Sequence, residues 1–342
     1  MPNANHRFLQ VGLGSMGKRR IRNLLFHGVL PEQIIGFDFS PERCQEVLEK
    51  HGVRAFTSYD EAEKEADPDV VIISTPPNLH HDYFLAAAKK KRHFFVEVTT
   101  SDAGYDELKP LLDSSFVAAP SCTFRYFPAI KKIKELVVAG SVGKVLSFHY
   151  HLGQYLPDWH PWEDYRQVYF AQKETGACRE MYGYELIWLT DLLGSTVKKV
   201  TGFAGKLSDL DMTADDSYLS VVEFKSGVVG TLSIDVIARA PFRTLRLLGT
   251  DGVLDWEWQN YTIKIYSAST KEWTTISLKP GEQEKNYVTT EDMYQEEMLH
   301  FLDAIDGKQP YPYSFDEDRQ VLRTLYALEE SSKDQKTIAV KD

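Results

Sequence analysis

The sequence predicts an α/β Rossmann-type doubly wound parallel sheet over residues 1–120, followed over 121–342 by an α+β domain with a large open antiparallel sheet. Three observations carry this. Apolar strand-like runs alternate with helical patterns as far as Pro120. A glycine-rich turn, Gly12-Leu13-Gly14-Ser15-Met16-Gly17, joins the first strand to the first helix. Beyond Thr196, short strand-like stretches follow one another through Gly-containing turns. A length of 342 residues also exceeds what one typical core serves and suits two domains.

Phe8, Leu9 and Val11 form the first strand, and Ile21, Leu24 and Leu25 recur at helical spacing after the turn. Gly12 permits the sharp bend, Gly14 lets the backbone approach a pyrophosphate, and Gly17 lets the helix lie close on the strand. Phosphates then meet the free N–H groups of the helix start, Ser15 and Met16 among them. Ile34-Ile35-Gly36-Phe37-Asp38 reads as the second strand and ends in an acid 21 residues after Gly17. A carboxylate there accepts bonds from the ribose hydroxyls of NAD and repels the 2′-phosphate of NADP, while Arg43 lies close enough in sequence to offset it. The expected cofactor is therefore NAD rather than NADP.

Ser40-Pro41-Glu42 has the form of a helix start, leading to His51-Gly52. Val70-Val71-Ile72-Ile73 is the β-branched run of a strand buried on both faces, followed by Ser74-Thr75-Pro76-Pro77-Asn78 and a helix over about 79–90. Strands at Phe94-Phe95-Val96-Glu97-Val98 and Phe116-Val117-Ala118-Ala119 complete the series. Ligands of such sheets lie at the carboxyl ends of the strands, which makes Ser74, Thr75, Pro76, His80 and Glu97 cofactor-side candidates.

Past Pro120 the pattern changes. A helix over about 128–139 precedes an aromatic and polar segment holding Tyr155, Trp159, His160, Trp162, Tyr165 and Arg166. A second helix spans about 179–193, and seven strand-like stretches between Val197 and Leu278 read as an antiparallel meander. Tyr294, Met298, Phe301, Leu302 and Ile305 form a helical stripe, and a final helix covers about 316–330. These closing helices, within about 290–331, are candidates to pack back on the first domain. His149 and His151 sit at strand-like spacing on one side of a sheet.

A formal charge of -11 argues against nucleic-acid and anionic-membrane partners. Lys89-Lys90-Lys91-Arg92, the one dense basic run, falls at a helix end, where cations suit the dipole. Three widely spaced cysteines, Cys44, Cys122 and Cys178, read as free thiols and offer no metal-ligand pattern. With no leader-like N-terminus and no membrane-length apolar run, the expectation is a cytoplasmic protein.

Several markers stand in order: the Gly12–Gly17 turn, Thr75-Pro76-Pro77-Asn78-Leu79-His80, Arg125-Tyr126-Phe127-Pro128-Ala129, Gly140-Ser141-Val142-Gly143-Lys144-Val145, Gly176-Ala177 and two closing helices. Together they resemble the glucose-fructose oxidoreductase and inositol dehydrogenase (Gfo/Idh/MocA) family over essentially the whole chain. The stretch around Pro157-Asp158-Trp159-His160-Pro161-Trp162 is similar to a branch associated with nucleotide-sugar and surface-glycan synthesis. The resemblance implies NAD(P)-dependent oxidation of a sugar or cyclitol hydroxyl, or reduction of the ketone, and a homodimer or homotetramer built through the open sheet face. It also implies that Arg125 lies near cofactor or substrate.

Family members usually carry a lysine in a Glu-Lys-Pro turn and a His with an Asp three residues later on one helix. Here the turn is Glu97-Val98-Thr99, and counting back from Leu192-Leu193-Gly194 puts Tyr184 and Ile187 at the helix positions. The candidate catalytic residues are then Tyr184, supported by Lys173 or His160. The substrate candidates are Tyr155, Trp159, His160, Trp162, Tyr165, Arg166 and Glu180, a supply of aromatic and polar groups suited to a sugar-like ligand. Tyr182, Tyr184, Glu180 and Glu185 also have a plainer reading as packed or locally paired helix residues. Three functions stay open: an oxidoreductase with displaced acid/base residues, a lapsed dinucleotide-binding protein with a sensing or partner role, and NAD-assisted elimination or hydrolysis.

Overall fold

The computed structural model describes residues 6–159, 161, 163–279, 281 and 290–341. In chain order its regular elements are β1 (Phe8–Val11), α1 (Ser15–Phe26), β2 (Ile34–Phe37), α2 (Pro41–His51), β3 (Arg54–Phe56), α3 (Tyr59–Ala66), β4 (Val70–Ile73), α4 (His80–Lys89), β5 (His93–Val96), α5 (Tyr105–Leu108) and β6 (Ala118–Pro120). There follow α6 (Pro128–Val138), β7 (Val145–Tyr155), α7 (Ala177–Leu193), β8 (Val197–Gly205), β9 (Ser217–Phe224), β10 (Val229–Asp235) and β11 (Ile237–Gly249). The chain closes with β12 (Gly252–Glu257), β13 (Thr262–Ser267), β14 (Glu272–Ser277), α8 (Asp292–Ile305), α9 (Phe315–Asp334) and β15 (Ile338–Ala339). They form two compact units. One holds the chain up to Thr123 together with Asp292–Asp318, and the other holds Phe124–Glu291 together with Arg319 onward.

The first unit is a six-stranded parallel sheet in the order β3-β2-β1-β4-β5-β6. All four residues of β1, β2 and β4 are buried, as two-sided helical cover requires. Local chemistry starts and stops the helices. Ser40 accepts a bond from the Arg43 amide, Pro41 fills the first helical position of α2, and Gly52 ends it at φ 69°. Ser58 caps α3 in the same way through the Glu61 amide. The core packs Phe8, Leu13, Ile21, Leu24, Ile72 and Phe95 with Met298, Phe301 and Leu302 of α8. Each such side chain contributes about 1.5–3 kcal/mol by leaving water.

The second unit is a nine-stranded sheet in the order β14-β13-β12-β11-β7-β10-β9-β8-β15. Its helix-covered face alternates strictly: Phe148, Tyr150 and Leu152 of β7, Leu232 and Ile234 of β10, and Leu245 and Leu247 of β11 are all buried. The expected unbroken meander is corrected here. β7, whose His149 and His151 stand at the strand-like spacing expected, enters between β10 and β11 and runs parallel to β10, so the sheet is mixed at that one seam. The other face carries His149 against Thr231 and His151 against Asp235. No helix among the described residues is long and apolar enough to cross a membrane.

Candidate functional site

In the first unit the carboxyl ends of β1, β2, β4 and β5 converge on the glycine turn, at the point where strand order reverses. The three glycines differ in what they exclude. Gly12 has φ 85°, and a Cβ there would lie 2.5 Å from the Ser74 carbonyl oxygen. At Gly17 a Cβ would overlap the Gly12 carbonyl oxygen, so α1 is held against the turn by the missing side chain. Around Gly14 nothing lies within 4 Å of that position, so the turn is open at that point. No side chain caps α1, whose cap residue is Gly14 itself, and Ser15 and Met16 form its first turn. A helix start of this kind can present backbone N–H groups to an anion.

Asp38 stands just past β2, 8% exposed. Its Oδ2 accepts the Leu13 amide at 2.8 Å and its Oδ1 the Ser40 amide at 2.9 Å, which fixes the carboxylate beside the glycine turn. Arg43, half-exposed, reaches Oδ2 at 3.4 Å. Across the turn, Gln10 donates to Ser74 Oγ at 3.1 Å and to the Gly12 carbonyl at 3.2 Å. His80 Nε2 meets the Thr75 carbonyl at 2.8 Å. The buried atoms Thr75 Oγ1 and His80 Nδ1 have no protein partner, and Pro76 is exposed at the same loop.

Glu97 is committed within the protein. Arg20 of α1 holds both of its oxygens, at 2.7 and 3.0 Å, and Ser74 Oγ donates to it at 3.3 Å. The same guanidinium reaches Glu297 of α8 at 2.9 Å, with its carbon 4.5 Å from the Phe95 ring. Glu297 also accepts from the Cys122 amide at 2.6 Å, Ser121 Oγ at 3.1 Å and Thr123 Oγ1 at 2.5 Å. Burial works against the charge of Arg20, but the two carboxylates outweigh it and raise its pKa. Neither Arg20 nor Glu297 was visible as a site residue, because their meeting spans most of the chain.

In the second unit α7 carries the positions the sequence singled out. Tyr182 is buried with its hydroxyl 2.8 Å from Ser220 Oγ. Tyr184 is half-buried, its ring 5.5 Å from that of Phe124. Ile187 is buried, and its carbonyl accepts from Arg125 Nε at 3.2 Å, while Arg125 Nη1 lies 3.8 Å from Asp191. Within this unit the Arg125 side chain therefore serves α7.

Glu185, fully buried, is the centre of a second cluster. It accepts from Tyr150 OH at 2.8 Å, Trp188 Nε1 at 2.5 Å and Arg243 Nε at 3.4 Å. Arg243, on the helix-covered face of β11, is 3% exposed and stacks 4.8 Å from the Phe124 ring. Burial lowers its pKa, but Glu185 first, then Tyr150 and Tyr184, raise it above the usual value. Burial and Glu185 push the Tyr150 phenol well up.

The remaining substrate candidates are dispersed. Glu180 accepts from Tyr169 OH at 3.3 Å, and Tyr155 lies under the Arg239 guanidinium at 3.8 Å. Trp159 meets Phe170 edge-on at 5.2 Å. Tyr165 OH accepts the Asp211 amide at 3.1 Å, and Arg166 forks onto Asp164. Lys173 is exposed, and its charge acts on Asp215. His160 and Trp162 lie outside the described residues. Phe127, Trp256, Trp258 and Tyr261 line a shallow, open depression. No group of three metal-ligating side chains stands together among the described residues.

Two family models match the chain: "Oxidoreductase family, NAD-binding Rossmann fold" over residues 6–115 and "GFO/IDH/MocA C-terminal domain" over residues 130–255. Among solved structures, levoglucosan dehydrogenase in complex with NADH aligns with a TM-score of 0.83 at 19% identity, covering 98% of this chain and 99% of that one. GenD2 from gentamicin A biosynthesis, in complex with NAD, aligns at 0.81 and 20% identity over 100% and 98%. An oxidoreductase from Agrobacterium radiobacter, in complex with NAD+, L-tartaric acid and magnesium, aligns at 0.86 and 14% identity over 98% and 99%. No curated protein matches in sequence.

Proposed function

The chain belongs to the Gfo/Idh/MocA family of NAD-binding oxidoreductases, and on that premise we propose that it oxidises a hydroxyl, or reduces the ketone, of a sugar, cyclitol or nucleotide sugar. The observation that carries this is the glycine turn. Gly12 and Gly17 admit no side chain, Gly14 stands open, and Asp38 is fixed beside them. A bound dinucleotide would meet the amides of Gly14, Ser15 and Met16 with its pyrophosphate and Asp38 with its ribose hydroxyls, an arrangement that would favour NAD over NADP. The nicotinamide supplies hydride exchange. Thr75 Oγ1 and His80 Nδ1 are buried polar atoms that a bound cofactor would satisfy.

Tyr184 supplies the proton in ketone reduction or takes it in the reverse direction. The tyrosine stands where relatives place a histidine, and α7 holds it through packing on Phe124. The likeness to levoglucosan dehydrogenase supports a sugar substrate, and the aromatic and hydroxyl-bearing side chains of the second unit suit such a ligand. One observation favours a lapsed enzyme instead: Val98 and Ile187 offer no proton-handling group, and Ile187 is packed in the core.

A single experiment separates the readings. The protein is titrated calorimetrically with NAD, NADH and their phosphorylated forms, then incubated with levoglucosan, L-sorbose and a nucleotide-sugar panel while cofactor absorbance is followed. Tighter NAD binding and a turnover that Tyr184→Phe cuts by about 10²–10⁴ are expected. Tight NAD binding with no turnover on any sugar supports the lapsed reading. Tighter binding of NADP overturns the role of Asp38.

A further inference from the structure

Arg243 stands out among the charged groups that this reading leaves unused. Its Nε is spent on Glu185, while its Nη1, buried with the rest of the side chain, has no acceptor. Burying a charged donor without a partner is unfavourable enough that native proteins rarely tolerate it unless something else occupies the place. Glu185, which neutralises the guanidinium, also takes the Tyr150 hydroxyl and the Trp188 indole N–H, and Tyr150 itself lies close to Arg243. Arg243 and Tyr184 moreover lie on the same ring: Phe124 is 4.8 Å from the guanidinium carbon and 5.5 Å, centroid to centroid, from Tyr184. The two are near enough for their charges to interact.

We propose that Arg243 is a substrate-binding residue, its Nη1 donating to a carbonyl oxygen of a keto sugar that also meets the Tyr184 hydroxyl. The proposal rests on the oxidoreductase reading and deepens it. Arg243 then supplies a positive charge at the Tyr184 side of the second unit. A guanidinium suits the task because it stays charged at any working pH. Glu185 is its positioning residue: by holding Nε it fixes the plane of the fork and leaves one edge for substrate. Lys173, the other cation named for Tyr184, is exposed, and its charge bears on Asp215.

The test uses the NAD-loaded full chain and two variants. Arg243→Gln combined with Glu185→Gln removes both buried charges together, so neither is stranded; Arg243→Lys keeps the charge and loses the fork. Circular dichroism and NAD titration establish that each variant folds and binds cofactor as the wild type does. Calorimetry with L-sorbose then reads the substrate contact.

The expected result is a loss of L-sorbose affinity of at least about tenfold in the double variant. Arg243→Lys, which keeps the charge and loses the fork, should lose only part of that affinity. If the wild type binds and turns over L-sorbose and the double variant does so equally, the proposal is overturned and the oxidoreductase reading stands. If the wild type binds no sugar, that reading falls and takes the substrate role of Arg243 with it.

Discussion

His80 is enclosed almost completely, with one ring nitrogen on the Thr75 carbonyl, and burial pushes its pKa down to about 4. The folded chain therefore keeps the ring neutral at pH values where the unfolded chain, titrating near 6.5, has already bound a proton. The sign follows directly: the stability owed to this residue is full above about pH 6.5, declines as pH falls towards 4, and declines no further below that. A shift of that size is worth on the order of 3 kcal/mol. Urea unfolding at a series of pH values should show the decline in the wild type and a flatter profile in His80→Gln. An identical slope in the two proteins would locate the effect elsewhere.

Among secondary-structure elements, Arg20 ties α1 to β5 through Glu97 and to α8 through Glu297, with all three side chains largely shielded from water. Removing one partner of a buried ionic group leaves the others uncompensated, at a cost of about 3–5 kcal/mol. Arg20→Met, which strands two carboxylates, should reach that range in denaturant unfolding. Glu297→Gln, which leaves the guanidinium balanced by Glu97, should cost less. The contrast also marks what a sequence can and cannot reveal. Gly12, Gly14, Gly17 and Asp38 were legible because their roles depend on spacing within one strand-turn-helix unit. The pairs Arg20–Glu297 and Arg243–Glu185 were not, because each joins residues far apart in sequence and leaves no local pattern. The place of β7 in the sheet went unread for a related reason: its parallel pairing with β10 joins residues far apart in sequence and leaves no local pattern. The short β3 and α3 fell below the length at which periodicity can be recognised.

For the whole molecule, the expectation of a homodimer or homotetramer now has a more specific surface. On and beside β10, Val228, Leu232, Ile234 and Val236 are buried, whereas Val229 is 39% exposed. Phe203, Leu219 and Val221 lie exposed on β8 and β9, and on the same face run His149, His151, Arg246 and Asp255. Light scattering at micromolar concentration should report a dimer or a larger assembly, and Val221→Lys should shift it towards the monomer. A monomeric wild type would leave that face to water.

The course of the chain also sets an order in time. The parallel sheet is encoded first, yet Met298, Phe301, Leu302 and the carboxylate of Glu297 come from α8, after all of Phe124–Glu291. At a translation rate of about 5–20 residues per second, the wait is on the order of ten seconds. Throughout it, Arg20 has only Glu97 for company and one side of the nascent sheet lacks its cover. A transcript cut short before Asp292 would leave the dinucleotide half permanently in that state, its glycine turn encoded in full and its core unclosed.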